Sequence, residues 1–335
     1  MGVTRTAGPV EPLPGPALRT PDRAAGSVRR TSNIDMVRPG GLSDPQLLVS
    51  GAARDVVTNR QGVTVVAVAR VDTEVRYDNT RELVAIETHP VRPRTSSLLG
   101  RPVASGFRAA ADAALDPGDP RGPLSLLLDD LPVAVLIAGY AHALTRDLPV
   151  GAEQFRPMVD LCSGWRDGGT MIAAVRAGGP VPLRPGPDAP PVERPDDPFA
   201  WHATQPLPPL AMRRRRRVDL VAGEGQDHAD AMFRDTYADR EGRETVVHEY
   251  ALRAVLDAEG TVVREIAATP RVLPAPECPL AADSAERLVG TPIADIAEQV
   301  RRDLRGTSTC THLNDLLRSL GAIPILLAAL RGQDA

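Results

Sequence analysis

Lysine is absent from this chain of 335 residues; all 39 basic residues are arginine. That excludes a lysine Schiff base, a pyridoxal-phosphate lysine and a phosphate-loop lysine. Aromatic residues make up only 3%, so any core must be aliphatic. Three cysteines, Cys162, Cys278 and Cys310, are too few and too scattered for a disulfide framework. The longest apolar stretch, Leu131–Leu144, falls short of the roughly 20 residues that span a bilayer. Residues 1–27 are rich in Pro, Gly, Ala and Thr and lack the apolar segment of a signal peptide. A net charge of −4 argues against nucleic acid or an anionic membrane as partner. The expected setting is a reducing cytoplasm. No Gly-x-Gly-x-x-Gly turn or Gly-x-Ser-x-Gly elbow is present, and His248-Glu249 lacks the second His of a His-Glu-x-x-His site.

What is present is an internal echo. Residues 54–90 and 234–270 align without a gap: Arg54-Asp55 matches Arg234-Asp235, Gly62 matches Gly242, Val75 matches Val255 and Pro90 matches Pro270. Farther on, Leu99-Gly100-x-Pro102 matches Val289-Gly290-x-Pro292, and Leu128-Asp129-Asp130-Leu131 matches Leu313-Asn314-Asp315-Leu316. A repeat of this length implies one supersecondary unit used twice.

Within each unit the pattern predicts a strand hairpin followed by helices. Gly62–Val75 alternates β-branched residues, Tyr77–Thr80 is a turn and Leu83–Thr88 returns. Gly100–Leu115 and Leu124–Leu144 carry helical spacing, the second with a kink near Pro132. In the later unit, Thr245–Leu256 and Thr261–Thr269 are strands. Asp283–Leu304, with Asp283-Ser284 as N-cap, and His312–Leu330 are helices. The Arg213–Arg217 run, with Arg29-Arg30 as its analogue, adds a further strand to each unit. The expected fold class is α+β: two pseudo-symmetric units, each an antiparallel sheet with helices packed on one face. The expected organisation is a disordered tail (1–27), a degenerate first unit (28–147), a connector (148–211) and a second unit (212–335). The connector holds both tryptophans, and its stretch from 180 to 209 carries a third of the prolines.

Two segments of the second unit are specific. One is Glu277-Cys278-Pro279 leading to Leu288-Val289-Gly290. The other is Thr309-Cys310-Thr311-His312-Leu313. Together they resemble a bacterial domain family of unknown function whose signature runs Cys-Pro … Gly-Cys-Thr-His-Leu, with Thr309 in place of the Gly. The order strand, Asp/Gly turn, strand, Cys, helix, Cys is also distantly similar to U-type iron–sulfur scaffolds. In those, the first cysteine and the aspartate would fall near Val246 and at His248. That likeness implies a metal-binding or partner-binding protein without catalysis.

Cys278, Cys310, His312 and His248 are the candidate metal ligands, since zinc or iron takes thiolate and imidazole from separated elements. Cys310, His312 and His248 are also the candidate catalytic residues. A cysteine at a helix start has its thiol pKa lowered by the dipole, which favours covalent catalysis. The plainer reading is that both cysteines are small buried apolar residues. None of the four has a like residue at the matched first-unit positions (Leu98, Ser125, Leu127 and Val68), which points to a site in the second unit alone. Asp129-Asp130 and Asn314-Asp315 read as acid–base groups or as symmetric interface residues. Asp160, Cys162 and Trp165, beside the Gly168-Gly169-Thr170 turn, form a further cluster that reads as a lid or substrate contact, with Trp165 and Asp160 as the candidate contacts, or as a small packed excursion joining the units; Trp201-His202 reads the same way. Arg215, in the five-arginine run, is a candidate anion contact; otherwise the run is a solvated edge that discourages sheet pairing. The expected activity is that of a small-molecule enzyme acting on an organic acid or thioester.

Overall fold

The β-branched runs and the arginine runs pair into one antiparallel sheet of eight strands, in the order β4-β3-β2-β1-β5-β6-β7-β8. The strands are β1 (Ser27–Val37), β2 (Gln46–Asn59), β3 (Gly62–Arg76), β4 (Leu83–His89), β5 (Met212–Val221), β6 (Gln226–Ala238), β7 (Glu244–Asp257) and β8 (Val263–Val272). The structure is a computed structural model and describes residues 12–115, 121–145 and 158–332. Helices complete the expected α+β class: α1 (Phe107–Ala114), α2 (Pro123–Ile137), α3 (Tyr140–Thr145), α4 (Thr170–Arg176), α5 (Ile296–Asp303), α6 (Thr311–Ser319) and α7 (Ile323–Gly332). The two four-stranded halves are not separate sheets. β1 and β5 pair along ten positions, from Ser27↔Val221 to Met36↔Met212, and join the halves edge to edge.

The halves share detail beyond strand order. A bulge interrupts β2–β3 at Asp55/Val56, and another interrupts β6–β7 at Asp235/Thr236. Gly100 N–H donates to the Leu83 carbonyl and Gly290 N–H to that of Val263, both glycines at positive φ. Between the outer strands a bulge falls at Glu74/Val75 in β3–β4 and at Val255/Leu256 in β7–β8, which has a second one at Glu249/Tyr250. Val75 therefore occupies the place of Leu256, not Val255. The connection between paired Asp235 and His248 is one residue longer than that between paired Asp55 and Ala67, and a one-residue slip exchanges the faces of a strand.

The arginine run is not a solvated edge. β5 lies at the centre of the sheet, and Arg213 to Arg217 are each no more than 5% exposed. Side chains alternate across the sheet. Arg214 and Arg216 reach Asp235, Asp130 and Asp315 on the helix side. Arg213, Arg215 and Arg217 pair on the other side with Asp35, Glu244 and Asp219. That side is covered by the proline-rich segment. Val246 N–H donates to the Pro187 carbonyl and Ala189 N–H to that of Glu244. Trp201 packs on Val192 and Met232, and His202 bonds Thr31 and Asn33. Trp201 and His202 thus pin this covering segment to the sheet. Charge burial is tolerated because each guanidinium meets a carboxylate on a neighbouring element.

Other boundaries differ from expectation. Of the expected disordered tail, residues 1–11 lie outside the described residues. Residues 12–26 lie on the covered face, with Thr20 buried and bonded to the Val192 carbonyl. The stretch expected as a helix from Asp283 is 3-10 over Cys278–Leu288, and regular α-helix begins only at Ile296. Pro132 sits inside α2 and the break comes later, at Ala138-Gly139. Read as continuous helical runs, Pro123–Thr145 and Thr311–Gly332 are long and apolar enough to cross a membrane, contrary to the short estimate above. In an apolar 18-residue stretch of each, 83% and 72% is buried inside the protein, as in a core helix.

Candidate functional site

β6, β7 and the start of α6 converge below the helix layer. Asp235 and His248 are paired across β6 and β7, immediately beside the bulge. Cys310 is the N-cap residue of α6, so His312 lies in its first turn and points down onto the sheet. The His248 and His312 rings stack, with centroids 4.0 Å apart, and Phe233 stacks on His312 at 6.0 Å. His248 Nδ1 lies 3.6 Å and His312 Nε2 3.7 Å from the same oxygen, Asp235 Oδ2. Neither nitrogen has a hydrogen-bond partner, and both approaches are too long for such a bond. Arg214 holds Asp235 from the other side through two bonds of 2.8 and 3.0 Å.

Burial, then the neighbouring His312 ring, pushes the His248 pKa well below its ordinary value. Burial and Arg214 push His312 to about 3. Both imidazoles are therefore neutral at pH 7, as metal ligands must be. Among the described residues, Asp235, His248 and His312 form a group of ligand atoms all within 4.8 Å of one another.

The expected four-residue constellation is thus divided. His248 and His312 join Asp235. Cys278 and Cys310 join Cys162 around an adjoining cavity of about 20 Å³, also lined by Trp165, Tyr140 and both histidines. That volume holds a water-sized occupant and no more. Cys310 Sγ lies 3.9 Å from His312 Nδ1, the ring nitrogen turned away from Asp235. The helix start does not activate Cys310: burial outweighs the backbone donors and holds its thiol up at about 12. Burial likewise raises Cys162 and Cys278.

Of the other candidates, Trp165 is a wall of the cavity. Asp160 is exposed, at positive φ, and accepts the Asp167 N–H; it caps the Trp165 loop and does not line the cavity. Arg215 is on the opposite face of the sheet, paired with Glu244, and does not reach the site. Asp130 and Asp315 meet across the seam between the halves on shared partners, Arg214 and Arg216. This matches the interface reading of that pair.

Two contributors were missed. Asp235 stood in the repeat, but only as a match to Asp55; its strand pairing with His248 was the available signal. Tyr140 comes from the first half, and nothing local to it marks the site. Cys162 was grouped with Trp165 in the connector but not with the other two cysteines, which it joins around the cavity.

Residues 212–326 match a family model described as a protein of unknown function, DUF2889. No curated protein and no solved structure matches the chain.

Proposed function

We propose that the second half binds one divalent first-row metal, zinc or ferrous iron, on Asp235, His248 and His312, and that the protein is a small-molecule enzyme using it. The observation that carries this reading is the pair of unpartnered buried nitrogens turned to one carboxylate oxygen. Zinc bonds of about 2.0–2.1 Å place tetrahedral N and O ligands roughly 3.3 Å apart, so each nitrogen needs to approach the Asp235 oxygen by only a few tenths of an ångström from 3.6 and 3.7 Å, within a ligand set that spans no more than 4.8 Å. Two imidazoles and a carboxylate are the donor set of open catalytic sites, which keep a position for water or substrate. A metal there polarises a carbonyl oxygen, the chemistry an organic acid or thioester substrate requires. Arg214 supports the carboxylate as its outer partner. We read the correspondence of bulges and glycine turns as an ancient duplication whose earlier copy lost the site.

A second reading is favoured by the three thiols around one cavity: a soft metal held without catalysis. Elemental analysis of the full-length protein, purified without a histidine tag, separates the two. One metal per chain in wild type, lost in His248→Ala and His312→Ala but kept in Cys310→Ser, is the expected result. Loss in Cys310→Ser with retention in His248→Ala supports the thiol reading. Protein that stays metal-free after zinc supplementation and anaerobic purification defeats both.

A further inference from the structure

The thiol cavity has no room for an organic molecule, so a substrate must lie elsewhere. A groove of about 960 Å³ opens between α1 and α2 of the first half and α5 and α6 of the second. It shares Leu136, Leu161 and Thr311 with the thiol cavity, so the two spaces adjoin. Its size lies at the upper end for small-molecule sites. Leu126, Val133 and Val300 give it apolar walls.

The charges in the groove are mostly spoken for. Arg108 and Arg318 pair with Asp129 and Asp315. Arg81 and Arg121 are the exceptions: neither side chain makes a hydrogen bond or ion pair among the described residues, while the Arg121 backbone carbonyl accepts from Arg30. The Arg121 guanidinium packs beside Gly321: a Cβ there would sit 2.9 Å from Nη1, and the cation would have to shift to admit it. Asp112 also lines the groove; burial and then the Asp129 charge raise its pKa, while Arg121, Arg301 and Arg108 oppose that shift, so Asp112 is the nearby charge a bound acid would compete with for Arg121.

We infer that the groove binds an elongated organic carboxylate. Its acid group pairs with Arg121, its apolar body lies along Val133 and Leu136, and its far end reaches the passage at Leu161 and Thr311. This names the substrate class for the site proposed above and rests on that reading only for what happens at the far end. A guanidinium–carboxylate pair in a partly dry groove is charge-assisted and discriminates an acid from its ester.

The test is a fluorescence titration of the full-length protein with cis-parinarate and with its uncharged methyl ester. Saturable binding of the acid is expected, weakened about tenfold, the equivalent of ~1.4 kcal/mol, by Arg121→Gln. Arg121→Lys should restore part of it, and the exposed-turn variant Arg60→Gln should leave it unchanged. The ester should bind wild type and Arg121→Gln alike. Thermal unfolding of Arg121→Gln checks that the variant is folded. No saturable binding, an ester bound as tightly as the acid, or an Arg121→Gln variant of wild-type affinity overturns the inference. Repeating the titration on metal-stripped protein separates the two proposals. Acid binding that survives in a protein that never held metal sinks the metal site and leaves the groove. A metal-replete protein without Arg121-dependent binding does the reverse.

Discussion

His248 and His312 stack at 4.0 Å and direct one nitrogen each to a single oxygen of Asp235. Two neutral rings in this pose leave buried donors or acceptors unsatisfied, which costs about 1–3 kcal/mol per group. A cation at the focus removes that cost and ties β6, β7 and α6 together. Chelator treatment should therefore lower the melting temperature, and added Zn²⁺ should restore it. With free metal at about 100 times Kd the stabilisation is ~2.7 kcal/mol, a shift on the order of 4 °C for a protein of this size. Differential scanning calorimetry reads the shift. His248→Ala should show no response to metal, and a full response in that variant removes His248 from the site.

Arg214 is the hub beneath both halves. It bonds both Asp235 oxygens and Asp315, and lies 3.7 Å from Asp130. Its replacement by Met keeps the aliphatic stem and strands the buried Asp235 carboxylate, while Asp130 keeps Arg216 and Asp315 keeps Arg318 and Arg108. Loss of one partner from a buried ion pair costs about 3–5 kcal/mol, so Arg214→Met should lower the urea midpoint by that equivalent. The double variant Arg214→Met with Asp235→Asn should recover part of the loss, since a neutral amide costs less to bury unpaired. Equal midpoints for wild type and Arg214→Met would show that the network contributes nothing net.

The strands were legible because β-branched alternation is local: β3 and β4 fall where Val63, Val65, Val71 and the Leu83 segment place them. The place of β5 was not. Five consecutive arginines read as an edge by any local rule, and only the carboxylates brought by β1, β6, β7, α2 and α6 make a central position tolerable. The site was half legible for the same reason. Cys310 and His312 announce themselves in one string, whereas Asp235 enters through strand register and Cys162 through a connector that threads back under Tyr140. The direction of the Cys310 shift was misjudged because a helix start is visible in sequence and complete burial is not.

Asp315 sets the expected response to acid. Burial alone would raise its carboxyl, but Arg318, Arg108, Arg214 and Arg216 outweigh it and hold the pKa well below the usual range. A depressed folded-state pKa contributes stability that is present above the unfolded value, about 3.9, and is lost as pH falls below it. Urea midpoints should thus hold steady from neutral pH to about pH 5 and fall steeply toward pH 3, at up to ~1.4 kcal/mol per pH unit for each extra proton the unfolded chain binds. Asp315→Asn should be less stable at pH 7 and show a shallower acid slope. A slope as steep as wild type would place the acid-sensitive group elsewhere.

Gly186 tests the covered face of the sheet. A Cβ at this position would lie 1.9 Å from the Val246 carbonyl oxygen and 3.0 Å from its carbon. The clash is with backbone, so neither partner can yield by changing a rotamer. It sits next to the bond from Val246 N–H to the Pro187 carbonyl, which ties the proline-rich segment to β7. Gly186→Ala should lift that segment from the strand and expose Arg215 and Glu244 beneath it. Overpacking of this kind costs about 1–3 kcal/mol, and the freed segment should be cut by protease within residues 180–209 much faster than in wild type. Mass spectrometry of a limited digest locates the cut. Cleavage at the wild-type rate would mean that the segment does not depend on this contact, and that the buried arginines keep their cover by the Trp201 and His202 anchors alone.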